Sequence, residues 1–148
     1  MQIALLNTDN GLRTYAVIFD KGDEAHSGLQ RFAEEEQISG ASLTAVGAFS
    51  SATLGYFDRE RMDYDEIPVD EQVEVLSMVG DIALSDEEPE VHAHLVVGKK
   101  DGSTMGGHLR SAHVWPTLEV IVTETPAHLR KRHDRETGLT LIDPELTG

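Results

Sequence analysis

Apolar and polar positions alternate along most of this chain, with one stretch of helical spacing near its start. Gln2 to Leu6 and Arg13 to Phe19 are rich in β-branched and aromatic residues and flank the turn signal Asp9-Asn10-Gly11, which predicts a hairpin. Lys21-Gly22-Asp23 ends the second run. Asp23 is a suitable N-cap, and Glu24 suits the positive end of a helix dipole. Ala25, Leu29, Phe32 and Ala33 then recur at helical spacing, with Arg31 and Glu34 to Glu36 on the polar side. A helix is expected over Glu24 to Gln37, with Gly40 as its stop.

Beyond Gly40 the spacing is that of strands. Ser42 to Ala48 and Ala52 to Phe57 read as two short strands around Gly47, Ser50 and Ser51. Met62 to Val69 alternates weakly, and Pro68 limits it to an edge. Gln72 to Leu84 alternates clearly, and Asp86-Glu87-Glu88-Pro89 reads as a loop. The run Val91-His92-Ala93-His94-Leu95 follows, then a turn over Lys99 to Gly102, Gly106-Gly107-His108, and a strand over Thr117 to Thr123. Ala127 to Arg135 reads as a short helix and Leu139 to Ile142 as a last strand. Many short strands, one early helix and no alternating strand–helix rhythm predict an α+β fold, a single domain on a mostly antiparallel sheet.

Composition narrows the chemistry. The 148 residues contain no cysteine, which excludes disulfides and thiolate metal sites and suits a reducing cytoplasm. The N-terminus has no basic start before its short apolar run, so no signal peptide is expected. No apolar stretch approaches the roughly 20 residues of a membrane helix. Twelve Lys and Arg stand against 27 Asp and Glu, a formal charge of −15. Such a surface repels phosphate backbones at long range and biases the chain against DNA.

The candidate chemistry lies in the histidines. On a strand, His92 and His94 share one face while Val91, Ala93 and Leu95 point the other way. A hairpin across Gly98 to Gly102 would bring His108 beside them, and Gly106-Gly107 would let backbone pass close to a ligand. Three neutral imidazoles suit zinc first, then nickel, copper or iron, and leave a coordination position open to a small polar or anionic ligand. The alternative for the pair is a solvent-facing strand edge, or neutral histidines bonded to backbone. Glu119, inside the apolar run Leu118 to Val122, is either a solvated residue, a partner for an imidazole, or a general base. Glu74, His26, His113, His128 and His133 read as outward-facing. Arg130, Lys131 and Arg132 form the one basic cluster, either touching phosphates or offsetting the acidic remainder through salt links.

The motifs also fall in a family order. A helix after Lys21-Gly22-Asp23 precedes Val46-Gly47-Ala48-Phe49-Ser50-Ser51-Ala52-Thr53-Leu54, then Val73 to Gly80, Val91-His92-Ala93-His94, Gly106-Gly107-His108-Leu109 and Thr117-Leu118-Glu119-Val120. From about Arg13 to Thr123 this resembles the plants and prokaryotes conserved (PPC) domain, in its stand-alone prokaryotic form. The resemblance implies one domain over residues 1–148, with a core at about 13–124 and a C-terminal extension at 125–148. It also implies a central antiparallel sheet and a homotrimer. Plant relatives bind A·T-rich DNA through a preceding basic hook, which this chain lacks. Prokaryotic relatives are described as candidate DNA-binding proteins, and several carry a histidine metal site like His92, His94 and His108. The family pattern also has a glutamate where Glu119 stands. Three functions are therefore in view. One is a metal site with an open position, whose chemistry as an enzyme would be metal-assisted hydrolysis or lyase. The others are a DNA-associated regulator and an interaction module with a structural metal.

Overall fold

The computed structural model describes residues 1–148 as nine strands and one helix. Strands β1 (Gln2–Asp9) and β2 (Leu12–Phe19) form the expected hairpin. Its turn residues Asn10 and Gly11 both take positive φ, 51° and 85°, as a tight hairpin turn requires.

Helix α1 (Ala25–Glu35) buries Ala25, Gly28, Leu29, Phe32 and Ala33. Its cap is Glu24, not Asp23. The Glu24 carboxylate accepts from the backbone N–H groups of His26 and Ser27, and from that of Ala112 across the fold at 2.9 Å. The longer side chain can serve helix and sheet together. Asp23 instead accepts from the Asp20 N–H and pairs with the N-terminal ammonium. The helix also stops earlier than Gly40: Gln37 turns left-handed at φ 53° and the Ile38 N–H returns to the Ala33 carbonyl.

What reads locally as pairs of short strands is continuous. Strand β3 (Gly40–Asp58) runs through Gly47, Ser50 and Ser51, which mark bulges rather than breaks. Strand β7 (Thr104–Glu124) likewise joins the glycine–histidine segment to the apolar run after Pro116. Between them lie β4 (Asp63–Val69), β5 (Val73–Ser85) and β6 (Glu88–Gly98). Glu88 and Pro89 belong to β6, so the turn is confined to Asp86 and Glu87, both at positive φ.

All the ladders between named strands are antiparallel; one isolated bridge, Leu84–Arg130, is parallel. The β3 strand pairs with β5 in its first half and β4 in its second, while β7 lines its other edge from Ala41–Glu124 to Gly55–His108. The β5 strand pairs with β6, and β6 with the start of β7. The ladder β3–β5–β6–β7 thus returns to β3, and β2 adds to the end of β7 with β1 outside it. Helix α1 packs on β6 and β7, with Phe19, Phe32 and Phe49 among the fully buried side chains. No helix is long and apolar enough to cross a membrane.

The C-terminal segment departs from expectation. Residues 127–135 are extended rather than helical, and β8 (Lys131–His133) pairs with β9 (Thr140–Ile142). Sheet-type bonds claim their backbone: Leu84 donates to the Leu129 carbonyl at 2.7 Å, Leu129 to Ser39 at 2.9 Å, and Asp143 to Arg130 at 2.8 Å. A carbonyl used this way is lost to a helical turn.

Gly80 in β5 faces Ala93 in β6, beside the Asp81–His92 pair. A Cβ there would lie 2.2 Å from the His92 carbonyl oxygen and 2.9 Å from the Ala93 Cα. Gly80→Ala is expected to destabilise the fold by about 1–3 kcal/mol, the range for overpacking. The check is the urea midpoint; an unchanged midpoint would mean that the two strands separate without cost.

Candidate metal centre

Strand alternation sets the first two histidines. Along β6, Val91, Ala93, Leu95 and Val97 are buried, while His92 is half-buried and His94 exposed on the opposite face. The β6–β7 register then places His108 directly across from His94. The glycines before His108 permit that approach. A Cβ on Gly107 would meet the Gly55 carbonyl at 2.7 Å, and one on Gly106 the Leu95 carbonyl at 3.1 Å.

The three rings stand 5.0–5.3 Å apart between centroids, and one nitrogen from each lies within 4.8 Å of the others. Asp81, opposite His92 on β5, brings a carboxylate oxygen 3.2 Å from His92 Nδ1. That contact leaves His92 Nε2 as the free ligand atom. Two buried atoms have no hydrogen-bond partner, His108 Nδ1 and Asp81 Oδ1. Buried polar atoms are rarely left so, and each such exception asks for an explanation.

Partial desolvation of the ring, and then the neighbouring His92, hold the His94 imidazole below its ordinary pKa. The same two causes, followed by His94 and Arg110, push His108 down to about 4. Both rings are therefore neutral at neutral pH, the form in which imidazole donates to a metal. Three converging imidazole nitrogens and a buried nitrogen without a partner fit a divalent ion of the borderline-soft class.

A cavity of about 610 Å³ opens over the imidazoles. Phe57 and Tyr64 of β3 and β4 form one wall, Tyr64 lying 4.9 Å from His108 between ring centroids. Lys131, Leu139 and Leu141 from the C-terminal hairpin line it as well, with Asp81 and Glu90 at the histidine side.

Not every candidate residue joins this group. Glu119 is exposed on the far half of β7, roughly 35 Å of extended strand from His108, beside Val46 and Ile121. Arg130 pairs with Glu87, and Arg132 with Asp143 at 2.8 Å. Lys131 is buried and pairs with Glu90 at 2.9 Å. His113 is exposed, and His128 bonds to Ser39 at the surface. Asp81 is the residue that sequence reasoning missed. Its one signal is an acid beside Gly80 within the apolar run from Met78 to Leu84.

The matches with known proteins follow this frame. The family model of the Plants and Prokaryotes Conserved (PCC) domain matches residues 6–126. A candidate DNA-binding protein from Bacteroides thetaiotaomicron is 27% identical with a TM-score of 0.88, covering 97% of this chain and 98% of that one. A metal-containing protein from Archaeoglobus fulgidus is 32% identical, TM-score 0.81, over 95% and 96% of the two chains. A plant- and prokaryote-conserved protein from Pyrococcus horikoshii is 28% identical, TM-score 0.82, over 96% and 94%. The bifunctional protein GlmU of Synechococcus sp. (strain JA-3-3Ab) is 31% identical over 116 residues, 77% of this chain; the chain spans only 17% of that protein's length. Matched over most of its length and sharing the fold of solved relatives, the chain belongs to the Plants and Prokaryotes Conserved domain family.

Proposed function

We propose that this protein binds a divalent metal, with zinc preferred, through His92, His94 and His108. The open coordination position would face the cavity and receive a small polar or anionic molecule. The observation that carries this reading is the convergence of one nitrogen from each of the three imidazoles within 4.8 Å, together with a His108 Nδ1 that is buried and has no partner. The metal-containing relative supports it. A divalent ion there supplies Lewis acidity toward whatever occupies the open position. Asp81 orients His92 by accepting from Nδ1, which keeps Nε2 as the donor atom.

The same reading includes a homotrimer. Its support is an unpartnered apolar face: Val46, Leu76, Val79 and Ile121 border one shallow surface patch, and Val46 is 56% exposed. A contiguous patch of this kind marks an interaction surface.

Association with DNA is the second reading, favoured by the name of a solved relative. In this chain the basic cluster is engaged in ion pairs, and the formal charge is −15. Binding through phosphates would appear as a salt-dependent shift of duplex DNA, and its absence at low salt would end that reading.

Metal content per chain decides the leading proposal. Near-stoichiometric zinc in the wild type, lost in His92→Ala/His94→Ala, is expected from mass spectrometry on protein purified without chelator or histidine tag. Asp81→Asn should weaken zinc binding by roughly 10–100-fold in a competition titration with a chromophoric chelator. No metal in the wild type, even after incubation with zinc, would overturn the proposal.

Acid should act on the metal-free fold through His108. Its pKa is about 4 when folded, against 6.5 for a freely solvated imidazole side chain. The unfolded chain therefore takes up a proton between those values that the folded chain does not. This contribution to stability is complete above pH 6.5 and is lost as pH falls toward 4. In chelated protein the urea midpoint should fall more steeply over this window in wild type than in His108→Gln. Parallel profiles would show that His108 is already solvated.

For the trimer, Val79→Glu should yield a smaller species by light scattering while leaving the far-ultraviolet spectrum unchanged. A monomeric wild type would remove this part of the proposal.

A further inference from the structure

The C-terminal hairpin lies beyond residue 126, where the family match ends, yet it forms a wall of the histidine cavity. It is anchored at β5 through the Leu84–Leu129 bond and closed by Arg132 on Asp143 at 2.8 Å. This places Lys131 against the site with its side chain only 3% exposed.

A buried ammonium is costly unless its charge and its donors are met. Lys131 has three donors and makes one hydrogen bond, to Glu90 at 2.9 Å. Asp81 Oδ1 is 4.0 Å away, beyond hydrogen-bonding distance, and is itself unpartnered. Donor capacity therefore remains at the cavity wall. The lining also carries two carboxylates, Asp81 and Glu90, against this one ammonium. A divalent ion on neutral imidazoles reverses that balance and leaves one surplus positive charge. The remaining wall is mostly apolar, with Phe57, Tyr64, Leu139, Leu141 and Ile142 beside a single threonine, Thr140. One negative charge on an apolar body matches this lining.

We infer that the cavity takes a small monocarboxylate with an apolar body, and that Lys131 is the residue that selects its carboxylate. The inference rests on the metal reading above and adds the ligand class and the selecting residue. Ionised groups make roughly twice as strong a hydrogen bond as neutral ones, so a neutral analogue of the same shape is a sharp control.

The test uses the zinc-loaded full chain, with benzoate and benzamide as probes in calorimetric titrations and zinc content measured on the same samples. Benzoate should bind one per chain, roughly tenfold or more tighter than benzamide. Lys131→Met should erase that preference. Glu90→Gln should tighten benzoate several-fold, because the ammonium loses its competing acceptor. A lysine that serves only to pair with Glu90 would give no such gain. Stoichiometric zinc with equal or absent binding of the two probes would overturn this inference alone. So would unchanged benzoate affinity in both variants. Wild type that takes up no zinc would overturn the metal reading and this inference with it.

Discussion

The register of β7 is the constraint on which the rest of the structure depends. One strand must match β6 and β3 in its first half and β2 and β3 in its second. Side chains on a strand alternate with period two, so a slip of one residue would turn His108 into the core and Leu109 out of it. The bulges along the β3–β7 ladder, between Gly47 and Leu54, absorb the mismatch between these demands. The His94–His108 pair is therefore held by the whole sheet rather than by contacts within the site.

The site stands apart from the well-satisfied remainder of the fold. Three imidazoles crowd one face, two of them deprotonated by burial and mutual proximity, and two buried polar atoms lack partners. Natural sequences keep such local conflicts where function compensates for them. A cation answers the conflict at the nitrogens, and Asp81 gives the orientation that bare imidazoles would lack.

The hairpin that follows residue 126 changes the character of the cavity. Without it, the histidines would lie on an open sheet face. With it, they lie between aromatic residues of β3 and β4 and a wall holding a buried lysine. The same segment draws Arg130 and Arg132 into ion pairs, so its basic residues serve the tail's own packing.

Much of this was legible along the chain, because it follows from neighbours. The helical spacing from Ala25 to Ala33, the Asn10-Gly11 turn and the alternation around His92 and His94 depend on local periodicity. The third histidine was within reach too, since the turn near Gly102 limits the hairpin register. Other features depend on partners far away in the chain. Continuity of β3 and β7 through glycine and proline comes from long ladders on both edges, which override local breaking signals. The extended tail exists because Leu84 and Ser39 capture its backbone. Asp81 and Lys131 enter the site through pairing across β5, β6 and the final hairpin. Periodicity tells which face a residue takes; only cross-strand pairing tells what it meets there.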